Sequence, residues 1–231
     1  MIQWVVEQAQ KATRISEVIV ATDDTRILEA VTGFGGKAVM TSSGHATGSD
    51  RIAEVASGLK CDIVVNVQGD EPLIPPQNID QVVDSLDKDP SLAVATLMMA
   101  ADDPDEIADP NVVKVVTDQK GRALYFSRSP IPFHRDDWKS GLPEDISKSK
   151  AAGKNRVFKH IGLYAYTRSF LLEFTQMEPT PLEQLERLEQ LRILEHGFPI
   201  QVDITERKSM GVDHIDDLAR IERFLEKQNP G

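Results

Sequence analysis

Cysteine is nearly absent: the 231 residues contain one, Cys61. A lone thiol excludes an intramolecular disulfide framework and suits a reducing compartment. Long apolar runs are missing as well, so no segment reads as a membrane span. The opening stretch MIQWVVEQAQ has no basic region, apolar core or small-residue cleavage site, and predicts no signal peptide. Positive charge is the third shortage. Lys and Arg number 26 against 37 Asp and Glu, a formal net charge of −11, and no basic stripe interrupts that balance. Such a chain repels nucleic-acid phosphates. A nucleotide substrate stays compatible, because a divalent cation neutralises triphosphate oxygens. Also absent are G-x-x-x-x-G-K-[ST] and G-x-G-x-x-G, and any zinc spacing among the five histidines and Cys61. The expected class is a cytoplasmic enzyme with no nucleic-acid partner and no membrane insertion.

What is present is ample for a core. Hydrophobic residues make up 40% and charged residues 27%, which suits a single α/β domain over residues 1–231. Strand and helix signals alternate. Residues 17–22 (EVIVAT), 37–40 and 63–67 are short strand-like runs. The last is nearly all apolar and predicts a strand buried on both faces. Helices are expected over 24–31, ending near Gly33 and Gly35; around Ile52, Val55, Ala56 and Leu59, with Ser49 or Asp50 as the cap; and over 76–86. A strand over 93–98 follows. This alternation predicts an open, mostly parallel, doubly wound sheet with helices on both faces.

The middle of the chain differs. Residues 112–116 and 123–127 flank Asp118-Gln119-Lys120-Gly121, a hairpin signal with Gly121 able to take positive φ. Residues 133–155 are polar and aperiodic and predict a long, flexible surface loop. A strand resumes over 157–166. Thr180-Pro181-Leu182-Glu183 then announces a helix reaching His196: Thr180 caps it, Pro181 fits its first position and Glu183 reaches back to the cap. Leu182, Leu185, Leu188 and Leu191 form its expected buried stripe, with Glu183 and Arg187 a surface pair. A strand over 200–204 and a helix over 215–226 complete the chain.

Three segments carry candidate chemistry. In VVNVQGDEP, residues 64–72, Asp70 sits at the carboxyl end of a strand, where open α/β sheets bind ligands. A carboxylate there can hold Mg²⁺, and ordinary turn chemistry is the alternative. In GVDHIDDL, residues 211–218, Asp213 is a natural helix cap with Asp216 three residues on. Gly211 leaves room there for close backbone approach to a ligand. In HATGSDR, residues 45–51, hydroxyls and amides precede a helix and serve either to cap it or to bind a base edge or phosphate. Elsewhere His160 and Tyr164 share one face of a strand. Gln190 and Arg192 either reach a sugar and its carboxylate or lie on a solvated helix face.

Taken together, HATGSDRIAEV, VVNVQGDEPLI, PNVVKVV with ALYFSRSPIP, FKHIGLYAY, PLEQLERLEQLRILEHG and GVDHIDDL resemble the 3-deoxy-manno-octulosonate cytidylyltransferases (CMP-Kdo synthetases). The motifs run in the family's order over nearly the whole chain. The resemblance implies a nucleotide-diphospho-sugar-transferase-like sheet with a smaller dimerisation lobe over residues 112–166. It implies transfer of CMP from CTP to Kdo with release of pyrophosphate, for lipopolysaccharide synthesis. It matches Asp70 and Asp213 to the catalytic Mg²⁺-binding aspartates, and Thr47, Gly48, Ser49, Arg51 and Gln68 to the nucleotide-binding segments. It places Arg128, His160, Tyr164, Glu189 and Gln190 around the sugar acid, and it implies a homodimer.

One departure stands out. The family's first strand runs into a loop of the type I-P-A-R-x-x-S-x-R-x-x-G-K, which holds the triphosphate, and no such loop occurs here. Met1-Ile2 aligns with the start of the helix after it. The expectation is a chain recorded from a start downstream of that strand, whose place would lie inside the sheet, and with weakened CTP binding. The competing readings are a cytidylyltransferase for another sugar acid, a transferase using UTP or GTP, and an inactive homologue that only binds and dimerises.

Overall fold

The computed structural model describes residues 1–138, 156–209 and 211–212. The chain opens with α1 (Ile2–Ala9), then β1 (Ile19–Thr22), α2 (Thr25–Gly33), β2 (Lys37–Met40), α3 (Gly48–Ser57) and β3 (Ile63–Asn66). Next come α4 (Pro76–Lys88), β4 (Val94–Ala101), α5 (Pro104–Ala108), β5 (Lys114–Thr117) and β6 (Ala123–Ser127). The last described elements are β7 (Val157–Thr167), α6 (Arg168–Phe174), α7 (Pro181–Glu186), α8 (Gln190–Glu195) and β8 (Gln201–Ile204). The expected final helix and Asp213 lie outside the described residues.

The α/β class is as expected, but the sheet is mixed rather than mostly parallel. β7 is the reason. It pairs antiparallel with β3, β4 and β5, so it lies between β3 and β4, which the helical crossover α4 would otherwise make neighbours. Among the described residues parallel pairing is confined to β1 with β2 and β4 with β8. Midway, the β4–β7 register slips between Thr96 and Leu97: Thr96 faces Tyr164 while Leu97 faces Ile161. Gly162 and Leu163 are the surplus residues of this bulge, which bends β7 and lets its two halves serve different neighbours.

β4 is the core strand. Val94, Ala95, Thr96 and Leu97 are fully enclosed, because helices cover both sheet faces. On one side Phe126, Tyr166, Phe170, Phe174, Leu191 and Ile193 form an aromatic-rich cluster. On the other, Ile74, Ile79, Val82 and Leu163 pack against Ala9 and Ala12. Each such aliphatic side chain contributes about 1.5–3 kcal/mol of burial.

β3 is only partly buried, not buried on both faces. Among the described residues it pairs with β7 alone, and β1 with β2 alone. The free edges of β1 and β3 line a common cavity of about 510 Å³, with Val5 and Val6 of α1 and Ile52 and Val55 of α3 also in its wall. The two-stranded sheet is thus separated from the six-stranded one.

The hairpin is where the sequence places it. β5 and β6 pair antiparallel and Gly121 has φ 78°. Two departures occur nearby. Of the expected surface loop over 133–155, residues 139–155 lie outside the described residues; in the described part Phe133 is exposed, but Trp138 is buried to 3% exposure against Ala101, Ile107 and Val157, because its indole finds an apolar pocket. The helix expected from Pro181 to His196 is broken: Arg187 turns left-handed at φ 55° and ends α7. The break throws Leu185 out to 79% exposure while Leu188 and Leu191 stay inside, so the four-leucine stripe does not form.

Candidate functional site

The amino end of α3 forms one wall of the site. Thr47, rather than Ser49 or Asp50, is the cap: its hydroxyl accepts from Asp50 N at 3.2 Å, and the Asp50 carboxylate accepts from Thr47 N at 3.1 Å. This reciprocal pair satisfies two of the helix's free donors and brings an acidic side chain to the positive end of its dipole. Gly48 is open, with nothing near an added Cβ. Arg51 donates to Thr41 Oγ1 at 2.6 Å and pairs with Asp23 at 3.0 Å, tying α3 to the carboxyl ends of β1 and β2.

α8 meets this wall. The Glu189 carboxyl faces the hydroxyls of Ser49 and Thr47, and burial raises its pKa above the usual carboxylate value against the lowering effect of those neighbours. Its Oε2 is buried without a hydrogen-bond partner. The next residue, Gln190, is buried as well. Ser49 also lies beside Tyr166, whose hydroxyl pKa is raised by burial first and by the Glu189 charge second.

β7 supplies the floor. The His160 and Tyr164 rings lie 5.2 Å apart on one face, as sequence alternation implied, and Phe126 meets His160 edge-on at 5.1 Å. Thr96 Oγ1 donates to the Leu163 carbonyl at 2.7 Å and lies 2.9 Å from His160 Nε2. A hydroxyl has one proton to give, so His160 must donate from Nε2. Burial pushes its pKa down to about 3, which keeps the ring neutral at physiological pH. The Tyr164 hydroxyl lacks a partner of ordinary hydrogen-bond geometry. Two unsatisfied polar groups, Tyr164 OH and Glu189 Oε2, in one neighbourhood mark a place where a polar ligand would complete the bonding.

Asp70 stands at the carboxyl end of β3, exposed, in a turn closed by Glu71 N donating to Gln68 O at 3.3 Å. The chain returns to this turn from far away. Val212 N donates to Asp70 O at 2.8 Å, Ser209 Oγ hydrogen-bonds Glu71 Oε2, and a Cβ on Gly211 would come within 3.4 Å of Glu71. The GVDH segment therefore docks on the GDEP turn up to residue 212; Asp213 itself lies outside the described residues. Among the described residues no cluster of three metal-binding side chains occurs.

The structure thus brings together Thr47, Gly48, Ser49, Glu189, Gln190, His160 and Tyr164. Arg128 is different. Its Nε donates to Glu186 O at 2.7 Å, Nη1 to Pro110 O at 2.9 Å and Nη2 to Arg187 O at 3.4 Å. Every named bond of its guanidinium goes to main-chain carbonyls. Sequence alone assigns no role to Glu186, Lys114 or Tyr166. No local pattern marks them, since their partners lie on other elements.

The chain matches the Cytidylyltransferase family model over residues 1–207. A 3-deoxy-manno-octulosonate cytidylyltransferase of Geotalea daltonii is 53% identical over 221 residues, covering 96% of this chain and 86% of the relative. One of the same name from Pelobacter propionicus is 54% identical over 225 residues, covering 97% and 87%. A solved structure of a CMP:2-keto-3-deoxy-manno-octonic acid synthetase complexed with CTP superposes with a TM-score of 0.87 at 39% identity, over 99% of this chain and 88% of that one. A 4-diphosphocytidyl-2C-methyl-D-erythritol synthase from Anaerococcus prevotii, at 12% identity and a TM-score of 0.60, shares the fold.

Proposed function

The chain belongs to the cytidylyltransferase family, and on that premise we propose that it transfers CMP from CTP to Kdo, giving CMP-Kdo and pyrophosphate for lipopolysaccharide synthesis in the cytoplasm. In that reaction the anomeric hydroxyl oxygen of Kdo bonds to the α-phosphorus, the α–β phosphoanhydride bond breaks, and the hydroxyl proton is lost. The supporting observation is identity above one half, over nearly the full chain, to enzymes carrying that name.

The geometry suits the roles. Thr47, Gly48, Ser49 and Arg51 at the start of α3, with Gln68 after β3, would take the nucleotide. Glu189, Gln190, His160 and Tyr164 would face the sugar acid. A neutral His160 offers this pocket no charge, and the unsatisfied Tyr164 hydroxyl and Glu189 Oε2 match a hydroxyl-rich substrate. Asp70 is an exposed oxygen donor of the kind Mg²⁺ uses, and Mg²⁺ on nucleotides needs one or two carboxylates besides phosphate and water. Asp70 therefore fits the ion, with Asp213 as its expected companion. When bound, Mg²⁺ would offset charge on the phosphoryl oxygens. A homodimer through the hairpin region around residues 112–127 belongs to the same reading, and a monomeric mass in solution would count against it.

The direct test is pyrophosphate release. Release with CTP and Kdo, and little with UTP, GTP or other sugar acids, supports the assignment. A preference for another base or sugar acid would redirect it, and no CTP-dependent release would leave only a binding role.

A further inference from the structure

Arg187 is the only non-glycine residue with positive φ among the described residues, at 55°. A left-handed conformation is strained for an ordinary side chain, so it persists where neighbours hold it. Here the neighbours are unusually complete. The Arg128 guanidinium bridges three carbonyls, those of Glu186, Arg187 and Pro110. Two of these belong to the end of α7, where helix carbonyls lack internal partners and favour a cation.

The grip is reciprocal. The Glu186 carboxylate accepts from Arg128 N at 2.9 Å, Ser127 Oγ at 2.7 Å and Tyr125 OH at 3.3 Å, and those bonds hold its pKa below the usual value despite burial. Behind it the fully enclosed Lys114 donates from Nζ to the carbonyls of Arg128 (2.5 Å), Val112 (2.5 Å) and Asp109 (2.8 Å). The end of β6 and the end of α7 are thereby locked to one another. The residues that follow the turn are Leu188, Glu189 and Gln190.

We propose that Arg128 and Glu186 are positioning residues: a latch that fixes the direction in which α8 leaves the break, and so sets Glu189 and Gln190 against Ser49 and the His160–Tyr164 face. The inference rests on the reading that Glu189 and Gln190 face the sugar acid. Arg is the fitting residue, because its planar fork reaches several carbonyls at once, whereas Lys is a point donor. Among the described residues the latch bonds to no residue of the α3 amino end, so it reaches the nucleotide side only through Glu189 and acts more strongly on the sugar side.

The test compares the unsubstituted chain with Arg128→Met, Arg128→Lys and Glu186→Gln. Arg128→Met should raise KM for Kdo roughly ten- to a hundredfold, the scale set by small misplacements, with KM for CTP within about twofold. Lys and Gln, which keep part of the bonding, should fall between. A second readout needs no turnover: trypsin cleavage after the exposed Arg187 should speed up in Arg128→Met while cleavage at sites on other elements does not. Equal changes in both KM values, or an unchanged cleavage rate after Arg187 in a folded variant, would overturn the latch. If the unsubstituted chain releases no pyrophosphate, the function falls, and the Arg187 cleavage rate still decides the latch.

Discussion

Asp70 and His160 show how differently two of the proposed site residues are built. Asp70 is exposed, so its loss should leave the fold intact. Asp70→Asn is expected to lower turnover about a hundredfold or more, the several kcal/mol a metal contributes to the reacting phosphoryl group, with an unchanged Tm. Activity that survives intact would remove Asp70 from the proposed metal site. His160 is the opposite, a ring held neutral by burial with a pKa of about 3 against an ordinary 6.5. A depressed pKa means the folded chain refuses a proton that the unfolded chain accepts. Stability is therefore full above pH 6.5 and declines as pH falls toward 3. His160→Gln, which keeps a donor for Thr96 but does not titrate, should show a shallower loss of Tm across that window. Parallel Tm curves would show that the ring does not control acid stability.

At the scale of elements, the helix pair α7–α8 carries the most information. Local signals announced its start correctly: Pro181 takes the first position, and the Glu183 carboxylate accepts from Thr180 N at 3.3 Å. They failed on its continuation. Glu183 was read as a surface partner of Arg187, but its carboxylate accepts from Arg192 at 2.7 and 2.5 Å, with both side chains buried. The Arg192 guanidinium also lies 5.1 Å above the Phe174 ring. A buried pair is compensated only while both members remain. Glu183→Ala should therefore destabilise the fold by about 3–5 kcal/mol, seen as a large fall in Tm, whereas an exposed i,i+4 pair would be worth a few tenths. The break at Arg187 is illegible in the sequence because the side chain bound to its carbonyls, Arg128, lies on another element. The helix cap at Thr47 was misplaced by two or three residues for a milder reason: Thr47, Ser49 and Asp50 are all good cap residues, and the approach of the chain from β2 selects among them.

Over the whole molecule, the sheet is uneven in how it is held. β4 is paired on both edges and its first four residues are enclosed. Among the described residues β1 and β3 are paired on one edge, with their other edges on the cavity. Local opening takes least where pairing and burial are incomplete. Amides of Ile19–Thr22 and Ile63–Asn66 should accordingly exchange with deuterium well before those of Val94–Ala101. Equal protection across the three strands would show that the free edges are covered in solution.

The sequence by itself determined the elements and the motifs. Alternating β-branched runs, capping residues and the hairpin glycine act within a few residues, and they placed β2, β6 and the start of α7 where the structure has them, with β5 two residues further on at its start. The same local order carried the cytidylyltransferase resemblance. Tertiary structure decided the rest. It inserted β7 antiparallel between β3 and β4, turned Arg187 left-handed, buried Glu183 with Arg192, and brought Glu189 to Ser49 across 140 residues of chain. Those outcomes depend on partners far apart in sequence, chosen by burial and hydrogen-bond satisfaction, and no local pattern records them.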